Sequence, residues 1–407
     1  MHRKRESSKS IYSCTFAPFI TPSFRLSRKF SGRQPVSCSR PRVMTDCATM
    51  LRKKPRPRSA PLPATAPPVS QKVLADYLGL SPATVSLVIN RSPAAASIPQ
   101  ETKDRILAEA RRLNYRPNFA ARSLRKQRSF TIGVVVPEIS EGYAALVMSG
   151  IEDQLLQEGY FYFVVSHRHR PDLLEGYPKL LLGRAVEGLI AVDTACKHPL
   201  SVPVVAVSGH TQVRGVTSIV LNHSRAASLA LEHLYHLGHR QIAFIKGQEF
   251  SSDTEVRWNA ILEAATRLGL RVRSNLIVQL EGDTPSPELG YHVTQKLLAG
   301  GHLFTALFAF NDISAIGAIR ALREAGLRVP EDVSVVGFDD IPSAAFQNPG
   351  LTTVRQPLRK MGEISAETVL RRIADPQNGP HPNVITVEPE LIVRASTASA
   401  PARLKTR

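Results

Sequence analysis

Histidines two apart can present two imidazoles to a metal ion, and His167 and His169 have that spacing. Arg168 and Arg170 lie between and after them and no carboxylates accompany them, so the stretch reads as a solvated loop. His233 and His236 lie on a helical stretch and read as surface residues, while His239 in "GHRQI" belongs to a turn before a strand. No P-loop, nucleophile elbow, H-E-x-x-H, or G-x-G-x-x-G after the first strand occurs. Cys14, Cys38 and Cys47 fall near the N-terminus and only Cys196 lies beyond. That is neither a disulfide framework nor a zinc-ligand set, and it suits a reducing cytoplasm. No catalytic residue, cofactor or metal is expected; the chemistry that remains is binding.

The first binding signal is electrostatic. The formal charge is +18, but Lys/Arg outnumber Asp/Glu by 15 to 2 over residues 1–68 and by 11 to 4 over 69–130, against 26 to 28 over 131–407. A near-neutral body with a basic head points to a polyanion met by the head alone, and nucleic acid is the leading candidate. The 407 residues leave room for two or three domains. The 43% hydrophobic content contains no apolar run long enough for a membrane span.

The elements that must position such a head begin at Val69. Residues 1–66 are rich in Ser, Pro and Arg, without periodicity, and read as a disordered basic tail of no specific function, similar in composition to a transit peptide or to an extension upstream of Met44 or Met50. A helix over Gln71–Leu78, Gly79, and a second helix opened by Ser81 and Pro82 and running to Ile89 then follow. Ser81 is a good N-cap, and Pro82 at the first helical position sacrifices no hydrogen bond. Ala75, Gly79 and Val85 have the spacing of a helix-turn-helix, although any αα-hairpin shares it. A third helix, Gln100–Leu113, presents Ile106, Leu107, Ala110 and Leu113 on one face. Phe119–Lys126 is helix-competent but has little to bury, so it needs a partner to form.

From Thr131 apolar runs alternate with amphipathic stretches. Strands are expected at 132–136, 161–165, 188–192, 204–207, 242–245, 276–278, 306–309 and 333–336, and helices at 144–158, 225–237, 256–268, 290–298 and 314–325. Continuous apolar strands with helical crossovers mean parallel sheet covered on both faces. At least eight of them suit two open doubly wound lobes that take a ligand beyond the strand carboxyl ends.

The ordered stretches "LADYLGLSPATVSLVIN", "RRLNYRPNFAARSLR", "TIGVVVPEIS", "LGHRQIAFIKG", "LRVPEDVSVVGFDDIP" and "LTTVRQP" resemble the LacI/GalR family of bacterial transcription regulators, over residues 69 to about 397. The resemblance implies an α/β protein: a three-helix headpiece with a helix-turn-helix (67–115), a hinge helix or linker (116–129), and a two-lobed periplasmic-binding-protein-like domain of doubly wound parallel sheets (130–398). A short C-terminal tail, 399–407, follows. It further implies a cytoplasmic homodimer on a palindromic double-stranded operator, controlled by a small-molecule effector, without membrane contact.

Carried over residue by residue, Pro82, Ala83, Thr84 and Ser86 match the DNA-facing turns of the recognition helix, with Asn90 at its end. Leu87 stands where members commonly place a polar base reader, and the connection 91–98 is about three residues longer than usual. Asn118, Ala121, Arg122, Ser123 and Leu124 match the minor-groove segment, with Leu124 in the place of the apolar wedge that kinks the duplex. Arg257 matches the pocket arginine, a forked donor for an effector carboxylate or hydroxyl; the alternative is a cross-lobe salt bridge to Asp339. Asp339, and Asn311 with Asp312, follow predicted strands and would suit a polyhydroxylated ligand, with Tyr143, Phe250, Asp253 and Phe346 as weaker pocket candidates. Two departures alter the pocket: Ala144 and Ala145 stand where members carry aromatic residues, and Leu221 where many carry Asp. The expected function is a sequence-specific DNA-binding regulator, most simply a repressor, answering to a sugar or a related polyhydroxylated or carboxylated metabolite. The rivals are a sensor of the same fold without DNA regulation, and an α/β enzyme with an N-terminal extension.

Overall fold

A computed structural model describes residues 69–116, 123, 127–139, 142–196, 198–282, 286–375 and 381–402. The N-terminal tail and all of the expected hinge except Arg116, Ser123 and Gln127–Ser129 lie outside the described residues.

The headpiece consists of α1 (Gln71–Leu78), α2 (Pro82–Ile89) and α3 (Gln100–Arg112). Ser70 and Ser81 cap the first two helices by accepting from the N–H groups of Val73 and Thr84. Gly79, in the left-handed region at φ 66°, closes α1 and lets the chain bend by 112° into α2. Leu74, Ala75, Val85, Val88, Ile106 and Ala110 form the core. Leu107, expected on the same face as Ile106, is instead 40% exposed, because one residue along a helix turns the side chain by about 100° and the small core spans only the Ile106–Ala110 edge. The lengthened connection is accommodated by a 3-10 turn at Pro93–Ser97 that sends Ala95 into that core.

Two six-stranded sheets follow. The first has the order β11-β5-β4-β3-β1-β2, from β1 (Thr131–Val136), β2 (Phe161–Ser166), β3 (Gly188–Val192), β4 (Val204–Val207), β5 (Val216–Leu221) and β11 (Val384–Val387), all parallel. The second has the order β12-β10-β9-β8-β6-β7, from β6 (Ile242–Lys246), β7 (Ile277–Gln279), β8 (Ala306–Ala309), β9 (Ser334–Asp339), β10 (Thr352–Arg355) and β12 (Glu390–Ile392). Only its edge strand β12 runs antiparallel. The eight expected strands are all present. Four more, β5, β10, β11 and β12, are short or mixed with polar residues and carry no continuous apolar run.

The crossover helices are α4 (Tyr143–Gln157), α5 (Pro171–Gly183), α6 (His223–His236), α7 (Ser252–Arg267), α8 (Pro287–Ala299), α9 (Asp312–Glu324), α10 (Pro342–Ala345) and α11 (Leu358–Ala374). Among the described residues no single helix is long and apolar enough to cross a membrane. The chain passes between the sheets after β5, after β10 and between β11 and β12, and the Asn222 amide binds the first passage to the third by donating to the Glu388 carboxylate (3.1 Å). Beyond β12, Ala400 donates its N–H to the Leu237 carbonyl (2.7 Å), so the expected free C-terminal tail is fastened to the body at least to that residue.

The largest helix contact, α4 on α11, is made through glycine. A Cβ on Gly150 would run into the Arg359 carbonyl, and one on Gly362 into the Val147 carbonyl. Gly150→Ala should therefore cost about 1–3 kcal/mol by forcing the two backbones apart. Gly176→Ala, on exposed α5 with nothing near its Cβ, should stabilise by about 0.5–1 kcal/mol through helix propensity. Urea unfolding of the two variants at equal pH checks the contrast.

Candidate functional site

In the headpiece, Pro82 and Ala83 are exposed at the start of α2, and Thr84 and Ser86 are half-buried one turn on. Asn90 donates to the Ser86 carbonyl (2.8 Å) and hydroxyl (3.1 Å), so it holds the helix end as well as facing water. Leu87 is half-buried against the headpiece core, which explains how an apolar residue is tolerated there. The expected contacts at Asn118, Ala121, Arg122 and Leu124 lie outside the described residues.

The second site lies where the strand carboxyl ends of the two sheets face each other. Pro137 and Glu138 follow β1, His169 follows β2, Asp193 follows β3, Gln248 and Phe250 follow β6, Phe310 and Asn311 follow β8, and Asp339 ends β9. Tyr143 and Ala144 from α4, and Ser251, Asp253 and Arg257 from the start of α7, complete the wall. The polar compartment measures about 120 Å³ and shares Asp193, His169 and Phe250 with a neighbouring cavity of about 500 Å³ that also reaches Cys196, His198 and Lys179. The ring of Phe250, 47% exposed, lies against His169 with centroids 3.8 Å apart.

Arg257 is 3% exposed. One end of its fork donates to the Phe310 carbonyl (2.5 Å) and the other to Asp253 Oδ2 (2.9 Å), while its plane lies over the Phe310 and Phe338 rings. Its ion-pair partner is thus Asp253 on its own helix, and not Asp339 as the alternative had it. Burial alone would raise the Asp253 carboxyl, but contacts from His210, His223 and Arg257 hold it well below the usual range. Asp339 is pushed up to about 7, chiefly by burial, against the opposing pull of Arg257 and of the Gln356 amide, which donates to it at 2.6 Å. Its backbone sits at φ 110°, a conformation that a non-glycine residue holds only under constraint from its surroundings. Burial and the Asp253 charge likewise raise Asp193 to about 6.

Two of the expected pocket residues do not line the cleft. Asp312 is fully buried inside the second lobe, accepting from the Ile341 N–H (2.9 Å) and the Thr353 hydroxyl (2.6 Å), because as the first residue of α9 it points back under β9 and β10. Phe346, just past α10, is 88% exposed. Asn311 does line the cleft, but its side-chain oxygen caps α9 by accepting from the Ser314 N–H.

The histidines also depart from the sequence reading. His167 is buried rather than solvated. Its Nδ1 accepts from the His169 N–H (3.0 Å), so the proton sits on Nε2 and is donated to the Thr194 hydroxyl (3.0 Å); burial and the nearby His169 lower it to about 4. His233 is half-buried beside the Thr397 hydroxyl (2.9 Å), whereas His236 is exposed as expected. His239 precedes β6 as expected, but buried, between Thr305 and the Ala398 carbonyl. Asp193, Gln248, His210 and His223 were missed. Asp193 could have been found as the first polar residue after a predicted strand, and Gln248 as a polar residue three positions past another; the two histidines carry no local signal.

The family model for bacterial regulatory proteins of the lacI family matches residues 73–118, and that for a periplasmic binding protein-like domain matches residues 231–397. The HTH-type transcriptional repressor PurR of Haemophilus influenzae is 32% identical over 338 residues, covering 81% of this chain and 98% of that protein. Among solved structures, the Lac repressor dimer bound to operator and the anti-inducer ONPF matches with a TM-score of 0.71 at 28% identity, covering 82% of this chain and all of that one. The complex of the transcriptional regulator CelR with cellobiose matches with a TM-score of 0.59 at 27% identity, over 80% of this chain and 99% of that one. With a capped helix-turn-helix and a two-lobed cleft in one chain, this protein belongs to the LacI family: it is a DNA-binding transcriptional regulator under small-molecule control, not an enzyme.

Proposed function

We propose that this regulator is a cytoplasmic repressor that acts as a homodimer on a palindromic operator, its grip set by a neutral, polyhydroxylated effector held in the cleft. The observation that supports this effector class is the charge of the wall. Glu138, Asp193, Asp253 and Asp339 line the cleft with Arg257, whose fork is already used by Asp253 and Phe310. A carboxylated effector would meet four carboxyl groups with only the unpartnered Arg257 Nε to donate to it, whereas sugar hydroxyls can donate to or accept from these groups in either protonation state. The reading therefore narrows the sequence expectation to its polyhydroxylated half. The similarity to a regulator complexed with cellobiose supports it.

On the DNA side, the short side chains of Pro82, Ala83, Thr84 and Ser86 allow close approach of α2 to the duplex but read few base edges. We assign the rest of the discrimination to Arg122 and to the Leu124 wedge, with residues 67–115, 116–129 and 130–398 as headpiece, linker and effector domain. Leu124→Ala should lower operator affinity by at least about 10-fold while non-specific binding survives, because a wedge depends on a deformable step and phosphate contacts do not. Gel retardation on operator and scrambled duplexes at one salt concentration measures this; equal loss on both would exclude the wedge.

A thermal-shift screen tests the effector class, since a ligand of the native state raises its stability. Neutral sugars and polyols should raise the melting temperature and sugar acids should not; stabilisation by acids alone would overturn the reading. For the ligand so identified, Arg257→Lys should weaken binding by roughly 10-fold, since an ammonium cannot hold both Asp253 and the Phe310 carbonyl in one plane.

The raised carboxyl groups set a pH dependence. Native Asp193 and Asp339 hold protons that the unfolded chain releases near its ordinary carboxylate range, so their contribution to stability falls as pH rises toward about 6 and 7. Asp339→Asn, which cannot ionise, should flatten this slope and be more stable than wild type at about pH 8, by on the order of 2 kcal/mol. Denaturant unfolding of the ligand-free protein at about pH 5 and about pH 8 checks the sign.

A further inference from the structure

Beside the cleft, side chains from three separate elements meet at one point. His210 lies in the connection after β4, His223 is the first residue of α6, and Asp253 stands in the first turn of α7. His210 Nε2 is 2.6 Å and His223 Nε2 3.5 Å from the same oxygen, Asp253 Oδ1. One donor atom from each of the three lies within 4.8 Å of the others. Tetrahedral coordination at zinc–nitrogen distances of about 2.0–2.1 Å separates donors by roughly 3.3 Å, so an ion would open the His210–Asp253 contact and draw the two imidazoles together from a cluster now spanning up to 4.8 Å.

His223 is the residue that hydrogen bonding leaves unexplained. It is 5% exposed, its Nδ1 has no hydrogen-bond partner, and its Nε2 has only the long 3.5 Å approach to Asp253 Oδ1, an arrangement that buried polar groups rarely show. Its ring is oriented by stacking on Phe338 (17° between planes), which turns an edge toward Asp253. Arg257 occupies the other oxygen, Oδ2, so Oδ1 faces the two histidines alone. His167 and His169, the pair suggested by spacing alone, lack this quality, because both nitrogens of His167 are already engaged.

We propose that His210, His223 and Asp253 form a binding site for a borderline divalent transition-metal ion such as Zn²⁺ or Co²⁺, a class that two imidazoles and one carboxylate suit. Its coordination would be completed by water or by an oxygen of the molecule in the cleft. Because His210 belongs to the first lobe and Asp253 to the second, the ion would fasten the lobes together. The site does not depend on the identity of the effector.

The test uses the full chain with Cys14, Cys38 and Cys47 changed to serine, so that tail thiolates cannot supply the signal. The protein is stripped with a chelator and titrated with Co²⁺, followed by visible absorption and calorimetry. One Co²⁺ per chain is expected. His223→Ala should weaken it by at least about 100-fold, beyond what loss of a merely supporting partner causes, and exposed His236→Ala should change nothing. His210→Ala gives the same reading should His223→Ala fail to fold. Absence of Co²⁺ binding to the parent, or binding that survives the folded histidine variants, would overturn the proposal and leave the three residues as a hydrogen-bonded contact between lobes.

Discussion

A carboxylate removed from water must be paired, and Asp253 is the place in this protein where that requirement organises the most structure. Its two oxygens face different elements: Arg257 on its own helix takes one, and His210 from the first lobe reaches the other. Removing either partner would strand a buried charge, at a cost of about 3–5 kcal/mol for a fully buried pair. Arg257 is in turn fixed by the Phe310 carbonyl and by two aromatic faces, so the ends of β8 and β9 are positioned against α7 by the same charge. The neighbouring Ser252 hydroxyl, 2.9 Å from Asp193 and 2.5 Å from the Ser208 carbonyl, adds a second cross-lobe contact. Whatever enters the cleft must compete with, or build upon, these two links.

This placement explains why the cleft can be sensitive to a small molecule. The lobes are joined by three backbone passages and by few polar contacts, and the passages themselves carry site residues: His223 opens α6 and Gln356 precedes α11. A ligand that rearranges hydrogen bonds at Asp339 or Asp193 therefore acts on groups one residue or one bond away from the segments about which the lobes turn. A hinge of this kind needs no long pathway, since the bistable element and the binding site share side chains.

Most of the fold was legible because its signals are local. The cap at Ser81, the turn at Gly79 and the eight apolar runs each follow from residues adjacent in sequence. What escaped depends on distant partners. β10 is buried but carries threonine in place of an apolar run, because the Thr353 hydroxyl donates to Asp312 and the Thr352 hydroxyl to the Arg394 carbonyl. The site divides the same way. Arg257 was visible through resemblance, but its partner was misjudged, since a helix offers Asp253 four residues earlier while Asp339 is already held by Gln356. Asp312 illustrates the limit of placing residues by strand ends alone: the position is right, and one residue of helical rotation beyond Asn311 sends the side chain into the core.

The headpiece and the effector domain place opposite demands on side-chain size. In α2 short residues allow the backbone close to a polyanion and leave the helix few ways to distinguish bases, which is why the proposed reading assigns the remaining discrimination to a second copy at fixed spacing and to deformation of the duplex. In the cleft Arg257, Asp253 and Asp339 are already bonded to other groups of the protein, so discrimination there comes in part from which of those bonds a ligand can replace. Coupling the two requires an element whose order depends on both, and the short helix-competent stretch 119–126, with only Phe119, Leu124 and two alanines to bury, has the composition for it. A strongly self-stabilised helix at that position would bind DNA regardless of the state of the lobes, and regulation would be lost; on the proposed reading, marginal stability there would let a change at Asp339 alter affinity for the operator.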